Sequence, residues 1–462
     1  LKKQYQMDKK IIPIDATTFD KLKKDLSEDK PGTDEDLPLP ADDAITSAIT
    51  EINEDLLIEA VVIRRIIAAL YSGKSVLLTG PIGCGKTALA LKIPSKAWKD
   101  FGGYYGEVVT ATEDWGTQNV IGGIIPKLVK KENSNDRDVQ FRVEMGAASK
   151  TVSENWDQED DKFGQAGKRV KVEKHDEEGN LQKYKGVWLI IDEFNRADID
   201  KAFGGLFTAL EYRKDVGIKI PTDDPDKFYD KMVVPKDYRI IGTLNTKDKN
   251  YLHRLSDALN RRFETIDIGI PEFEKAKEEM EIVAKRVFND LGKDVLERLG
   301  ESEGSAITEY KDLTEANSDT WKYLVFSYEI LAYIRRSNKL GTALLIAVYK
   351  FILVFRAMKD GDGKNHEFDY CLDLALCNSI IPQISKLPPM KLQSILGFIS
   401  GNISGEIWKK DYRDDDESQK KLKEVKELVN FINDHTEKKE EKLDWRHWEK
   451  LLNGEKAARE NK

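Results

Sequence analysis

The chain has 462 residues, 40% hydrophobic and 34% charged, with a net charge of −9, enough for two or three domains around a substantial core. No run of about 18 apolar residues occurs, so no membrane span is predicted, and the acidic balance predicts no general attraction to nucleic acid, leaving any such contact local. Three cysteines, Cys84, Cys371 and Cys377, contain no CxxC pair; they argue against a disulfide framework and a zinc site and predict a reducing cytoplasm.

Residues 1–44 are polar, with acidic clusters and prolines in SEDKPGTDEDLPLPADD, and predict a flexible arm; the stretch LKKQYQMDKK lacks the apolar segment of a signal peptide. From Ile45 to Leu70 the Ile, Leu and Val spacing is helical. SVLLTG then reads as a short buried strand running into a glycine-rich turn, and GEVVTAT (106–112) as a second strand. From about 127 to 185 the composition turns polar, which predicts an insertion, with KRVKVEK and LQKYKG as arms of a hairpin around EEGN. GVWLIID and YRIIGTLN (238–245) are two more buried strands. After Pro271 the pattern is helical, with apolar periodicity over 322–336, 341–358 and 370–399. Strands alternating with helices predict an α/β domain with a parallel sheet over 45–270, an all-helical domain over 271–405 and a charged helical tail over 406–462. In that tail Trp445, Trp448, Leu451 and Leu452 fall on one helical face, as a docking surface within the fold would.

The turn after SVLLTG reads GPIGCGKT, Gly80 to Thr87, which is G-x-x-x-x-G-K-T between a strand and the helical ALALKI. Glycines let a backbone fold around phosphate and aim its N–H groups inward. Lys86 supplies a positive charge to the β and γ phosphates, Thr87 a hydroxyl to Mg²⁺, and the following helix its positive end. About 105 residues later GVWLIID carries an aliphatic strand into two adjacent acids, Asp192 and Glu193. Two carboxylates side by side need a cation. Asp192 suits Mg²⁺ held through its water shell, and Glu193 the base or water-orienting role at the γ phosphate. YRIIGTLN delivers Asn245 to a strand end, where a neutral polar group can orient the attacking water. LSDALNRRFETIDI places Arg261 and Arg262 after a helix, where an arginine reaches a neighbour's phosphate in a ring more easily than its own.

On these residues the chain resembles the AAA+ ATPases over roughly Ile45 to Ser400. Within them, IIDEFNRADIDKAFGGLFTALEYRK is similar to the segment shared by the McrB-type restriction motors and the MoxR chaperones. GTLNTKDKNYLHRLSDALNRRF is closer to McrB, and FDYCLDLALCNSIIPQI resembles its helical lid. The resemblance implies an AAA+ α/β module followed by a helical lid, with ATP and Mg²⁺ as ligands. It places Walker A at Gly80, Pro81, Gly83, Cys84, Gly85, Lys86, Thr87 and Ala88, Walker B at Asp192 and Glu193, sensor 1 at Asn245 and the finger at Arg261 or Arg262. It puts Arg196 near a subunit interface. The implied assembly is a ring, a hexamer by family habit, with a nuclease subunit as partner and DNA reached through that partner or the insertion. A MoxR-like protein remodeller is the alternative.

The signature reads LNTKDKN where McrB motors have MNTADR, so ATP is expected and GTP is the alternative. The McrB domain that reads methylated DNA has no counterpart in the polar residues before 45. Arg335 and Arg336, before SNKLGTALL, lie close to where MoxR proteins carry a sensor-2 arginine. His175, His253, His366, His435 and His447 are scattered without metal-ligand spacing, KRVKVEK (168–174) reads as a solvated hairpin rather than a nucleic-acid contact, and Cys84 is expected to have no redox role.

Overall fold

Largely aliphatic runs of six or seven residues, too short for helices, become the central strands of one sheet. The structure, a computed structural model, describes residues 34–130, 137–157, 168–176, 179–211, 217–221, 229–245, 257–304, 306–315, 318–359, 363, 365–366, 368–384 and 387–388.

Helices α1 (Asp42–Asn53) and α2 (Ala60–Tyr71) lead into β1 (Ser75–Gly80), and α3 (Lys86–Ala97) follows it. The continuous helical spacing expected from Ile45 to Leu70 is thus broken. The Asn53 side-chain amide donates to Ile58 O at 3.0 Å and its oxygen accepts from Ile58 N–H at 2.9 Å, which reverses the chain between the helices. Within the expected arm over 1–44, Leu37 is buried and Pro38 O accepts from Trp98 Nε1 at 2.8 Å; residues 1–33 lie outside the described residues.

Next come β2 (Tyr104–Thr110), a helical turn at Thr117–Val120, and the hairpin β3 (Gly122–Lys130) and β4 (Arg137–Met145). Ile124 opposes Val143, Pro126 opposes Phe141 and Leu128 opposes Val139, so period-two alternation puts all six on one face. Apart from Val143, which packs against the core, that face is open to solvent, with Phe141 70% and Leu128 65% exposed. Helix α4 (Ala147–Ser153) leads to the hairpin of β5 (Val172–His175) and β6 (Leu181–Tyr184), the arms expected from KRVKVEK and LQKYKG. Two of its cations, Arg169 and Lys174, are spent within the fold. Arg169 is buried against Asp237 at 2.9 Å, and Asp237 also accepts from Tyr104 OH at 2.8 Å. Burial opposes the charge of Lys174, yet its hydrogen bonds to Glu154 and Glu107 outweigh that and raise its pKa.

The aliphatic β7 (Gly186–Asp192) is followed by α5 (Ile199–Glu211), the small hairpin of β8 (Ile218–Pro221) and β9 (Tyr229–Met232), and then β10 (Ile240–Asn245). Helix α6 (Asp257–Arg262) passes directly into β11 (Phe263–Asp267). The sheet order is β11-β1-β10-β7-β2, every pair parallel. Both faces of the central strands β1, β10 and β7 are covered, which explains why they are buried almost throughout, whereas the edge strands β2 and β11 alternate.

The remaining helices are α7 (Ala276–Asp290), α8 (Lys293–Glu303), α9 (Asp319–Arg335), α10 (Thr342–Ala357) and α11 (Phe368–Ala375). They pack into a separate apolar core around residues such as Val283, Leu331 and Tyr349. The architecture is a parallel α/β module followed by a helical domain. Among the described residues no helix is long and apolar enough to cross a membrane.

Candidate functional site

The parallel register brings the chemistry-bearing residues to one end of the sheet. Gly80, the last residue of β1, is the partner of Asn245, the last of β10, and the adjacent strand β7 ends on Asp192. Ligands of open parallel sheets bind outside the carboxyl ends of the strands. The expected spatial meeting of the 80–87 turn with the tip of strand 187–191 is present in a direct bond: Thr87 Oγ1 donates to Asp192 Oδ1 at 2.7 Å.

Gly83 (φ 77) and Gly85 (φ 90) hold the left-handed conformations that let the loop curl before α3 begins at Lys86. At Gly80 space is limiting, since a Cβ would lie 2.5 Å from Ile268 O. Lys86 is buried. Its ammonium folds over the loop, donating to Pro81 O at 2.7 Å and Gly80 O at 3.1 Å. Burial holds its pKa below the ordinary lysine value, against the pull of Cys84, Asp192, Asp267 and Glu193. The Cys84 thiol is also buried, and that burial pushes its pKa up despite Lys86 nearby. The first turn of α3 leaves backbone N–H groups and a partial positive charge beside the loop, the usual setting for an anion.

Around Asp192 the structure adds a residue that the sequence did not single out. Thr243 Oγ1 donates to Asp192 Oδ1 and accepts from Glu193 N–H at 3.2 Å. Thr243 stands two residues before Asn245, hence on the same strand face, and a lone hydroxyl in an otherwise aliphatic strand was the available signal. Asp192 and Thr87 together form a pair of hard oxygen donors, a donor chemistry that fits Mg²⁺. Glu193 has φ 54 and ψ 41, and Oε2 of its carboxylate meets Arg196 Nε at 2.6 Å. Asn245 is half-buried at the strand end.

The two candidate finger arginines separate. They occupy the last turn of α6 rather than following a helix. Arg262 turns inward, donating to Phe207 O at 2.8 Å, pairing with Glu211 and lying over the Phe207 ring. Arg261 is exposed. The residues of LNTKDKN after Asn245 lie outside the described residues, as do His253 and the Trp445 to Leu452 face.

The helical domain touches the loop through its backbone. Gly341 N–H donates to Ile82 O at 3.0 Å and Ala343 N–H to Gly83 O at 3.1 Å, at the start of α10. Approach is so close that a Cβ on Gly341 would stand 2.0 Å from Gly83 C. Arg335, a sensor-2 candidate by position, is used elsewhere. Its guanidinium grips the fully buried Glu279 with two bonds of 2.7 and 2.8 Å and donates to Leu340 O, while Thr342 Oγ1 donates to the same carboxylate at 2.6 Å. This cluster fixes the 335–342 turn that presents Gly341. Arg335 is therefore a strut within the lid.

Residues 75–263 match the family model described as AAA domain (dynein-related subfamily). The chain is similar to the "Type IV methyl-directed restriction enzyme EcoKMcrB subunit" of Escherichia coli (strain K12), 28% identical over 219 residues. That match covers 46% of this chain and 39% of the relative, so it spans about two fifths of the relative's length.

Proposed function

This chain is an AAA+ protein, McrB-like across its nucleotide-binding module, and from that premise we propose a Mg²⁺-dependent ATP-hydrolysing ring motor that drives a DNA restriction or translocation complex. The observation that carries the reading is the Thr87–Asp192 bond at the mouth of a glycine loop with a buried lysine. A nucleoside triphosphate takes its phosphates in the loop, where Lys86 exchanges its two carbonyl partners for phosphate oxygens. The base lies in the adjoining groove lined by Leu57, Ile58, Val62, Ile268 and Ile270, which runs beside the loop because Leu56 packs against Gly85. Thr87 and Asp192 would hold Mg²⁺, which would supply neutralisation of phosphate charge.

Glu193 accepts a proton from water as the water oxygen bonds to the γ phosphorus. The bond from that phosphorus to the β–γ bridging oxygen breaks, and its electron pair leaves with the diphosphate. Asn245 orients the water. Arg261, exposed just before the start of β11 and so at the sheet end away from this chain's own site, fits the finger that a neighbouring copy would receive, whereas Arg262 is committed to α5. Hexamers and a nuclease subunit as partner follow from the McrB likeness. Remodelling of a protein complex, in the manner of MoxR chaperones, is the second reading, and the one-sided apolar face of β3–β4 favours it over DNA for that hairpin.

The test is phosphate release from ATP and from GTP, with and without DNA, by wild type, Lys86→Ala and Glu193→Gln. Loss of binding in the first variant and retained binding without turnover in the second are expected. Wild-type turnover in Glu193→Gln would remove the assigned base. DNA stimulation supports the restriction reading, and its absence together with stimulation by a protein substrate supports the remodeller.

A further inference from the structure

The two faces of the β3–β4 hairpin are unlike. One carries Lys127, Arg142 and Glu144, all exposed, with Lys127 and Glu144 paired at 3.4 Å. The other carries Ile124, Leu128 and Phe141, which are 55%, 65% and 70% exposed, and Pro126 lies open among them. Four neighbouring apolar side chains on one face of a ribbon are more than a protein surface ordinarily leaves open. A two-stranded ribbon is also marginal by itself and prone to associate with other chains.

The face has a definite size. From Ile124 to Leu128 the strand runs about 13 Å, and the two strands lie about 5 Å apart. Two turns of α-helix are about 11 Å long and about 10 Å wide, so a helix of that length covers the face. The sequence supplies such a segment. Trp445, Trp448, Leu451 and Leu452 recur at the spacing of one helical face; they lie outside the described residues, and the nucleotide chemistry above makes no use of them. Residues 389–444 join them to the helical domain. Even counted at the rise of a helix, that stretch spans about 80 Å, against a radius of gyration of about 20 Å for a folded body of this size. Its length therefore does not restrict where the segment can dock.

Other pairings fit less well. Leu387, within the apolar periodicity of 370–399, packs against the helical core, so that periodicity belongs to the helical domain. A groove on that domain, lined by Phe288, Leu291, Leu296 and Ile307, also has Lys293, Glu297 and Glu301 along it. Two tryptophans laid there would strip water from three charges, which is costly. The hairpin face has no charged side chain among Ile124, Pro126, Leu128 and Phe141.

We propose that the segment 445–452 docks through its tryptophan face on the apolar face of the β3–β4 hairpin of the same chain. The docked segment covers the ribbon, and a protein presented to that face must first displace it. The contact is independent of nucleotide hydrolysis.

The experiment places a benzophenone side chain at Leu128 of the full chain and, as a control, at Lys127 on the opposite face. On illumination the probe at Leu128 should link to a peptide containing Trp448, in a product with the mass of one chain, and the probe at Lys127 should not. Aromatic anchors dominate contacts of this kind, so Trp445→Ser combined with Trp448→Ser should lower the yield by at least about tenfold. Phe141→Ser leaves the tail sequence intact and should speed trypsin cleavage after Arg446 and Lys450 by about tenfold, with a wild-type circular-dichroism spectrum showing the fold retained.

Links from Leu128 to the helical domain, or none to the tail, would overturn the proposal. Links between two chains would overturn it in favour of a second copy as the occupant. Equal trypsin rates in wild type and Phe141→Ser would also overturn it.

Discussion

Replacing Gly341 by alanine tests whether the helical domain shapes the phosphate loop. The backbone there (φ −81, ψ 173) is ordinary for alanine, so the perturbation is one of space alone. The new methyl would stand 2.0 Å from Gly83 C, 2.1 Å from Gly83 O and 2.2 Å from Cys84 N, all of them backbone atoms. To reach ordinary contact the two segments must part by more than an ångström. That parting breaks the Gly341–Ile82 and Ala343–Gly83 bonds, now 3.0 and 3.1 Å. At about 0.5–1.5 kcal/mol each, their loss amounts to about 1–3 kcal/mol, or roughly five- to 150-fold in affinity. Fluorescence anisotropy with a labelled triphosphate measures that directly. Gly205→Ala is the control: a Cβ there meets nothing within 4 Å in the middle of α5, so it should leave affinity alone and stabilise the fold by about 0.5–1 kcal/mol. If Gly341→Ala binds within twofold of wild type, the lid does not set the loop and the reasoning fails.

Arg335→Ala leaves the fully buried Glu279 carboxylate with the Thr342 hydroxyl but no counter-charge, and should destabilise the helical domain by about 3–5 kcal/mol. The double change of Arg335 and Glu279 to methionine should recover most of that in a thermal melt; equal melting of single and double variants would contradict it. Lys86 makes nucleotide affinity depend on pH. Burial lowers its pKa in the free protein, and phosphate binds the charged form. Affinity should therefore be level at lower pH and decline as pH rises through that lowered value, before an ordinary lysine would titrate, with log K falling by up to one per pH unit. Calorimetric titration over a pH series checks the sign, and a rise in affinity at alkaline pH would refute it. Arg262→Ala should lower the melting temperature through loss of its Phe207 and Glu211 contacts, whereas Arg261→Ala should leave the melt unchanged and depress turnover in mixtures with wild type.

The sheet was legible because its strands are buried on both faces. SVLLTG, GVWLIID and the IIGTLN end of YRIIGTLN are unbroken apolar runs, and each stops on the residue that the site uses. The loop was legible for a related reason: phosphate binding requires glycines and a lysine at fixed spacing, whatever the rest of the chain does. What escaped was set by contacts between distant segments. The lone hydroxyl in IIGTLN marks Thr243 but does not name Asp192 as its partner, and nothing local marks Gly341 as a glycine required by a loop more than 250 residues earlier. Of the two arginines near the sensor-2 position, Arg335 is spent on Glu279, a residue 56 positions away, which its local sequence does not announce. The helix break after Asn53 depends on a side chain bonding to backbone, which apolar periodicity does not register.

The order of strands also dictates when the protein can acquire its site. Strand β1, which carries the loop, is flanked by β10 and β11, and Thr79 bonds to Asp267 across 188 residues. A ribosome adding roughly 5–20 residues per second therefore leaves GPIGCGKT without neighbours for roughly ten to forty seconds. Local helices form far faster than that, so α1, α2 and α3 can be in place long before the sheet closes over them. During that interval the nascent chain exposes an aliphatic strand whose two sheet neighbours do not yet exist.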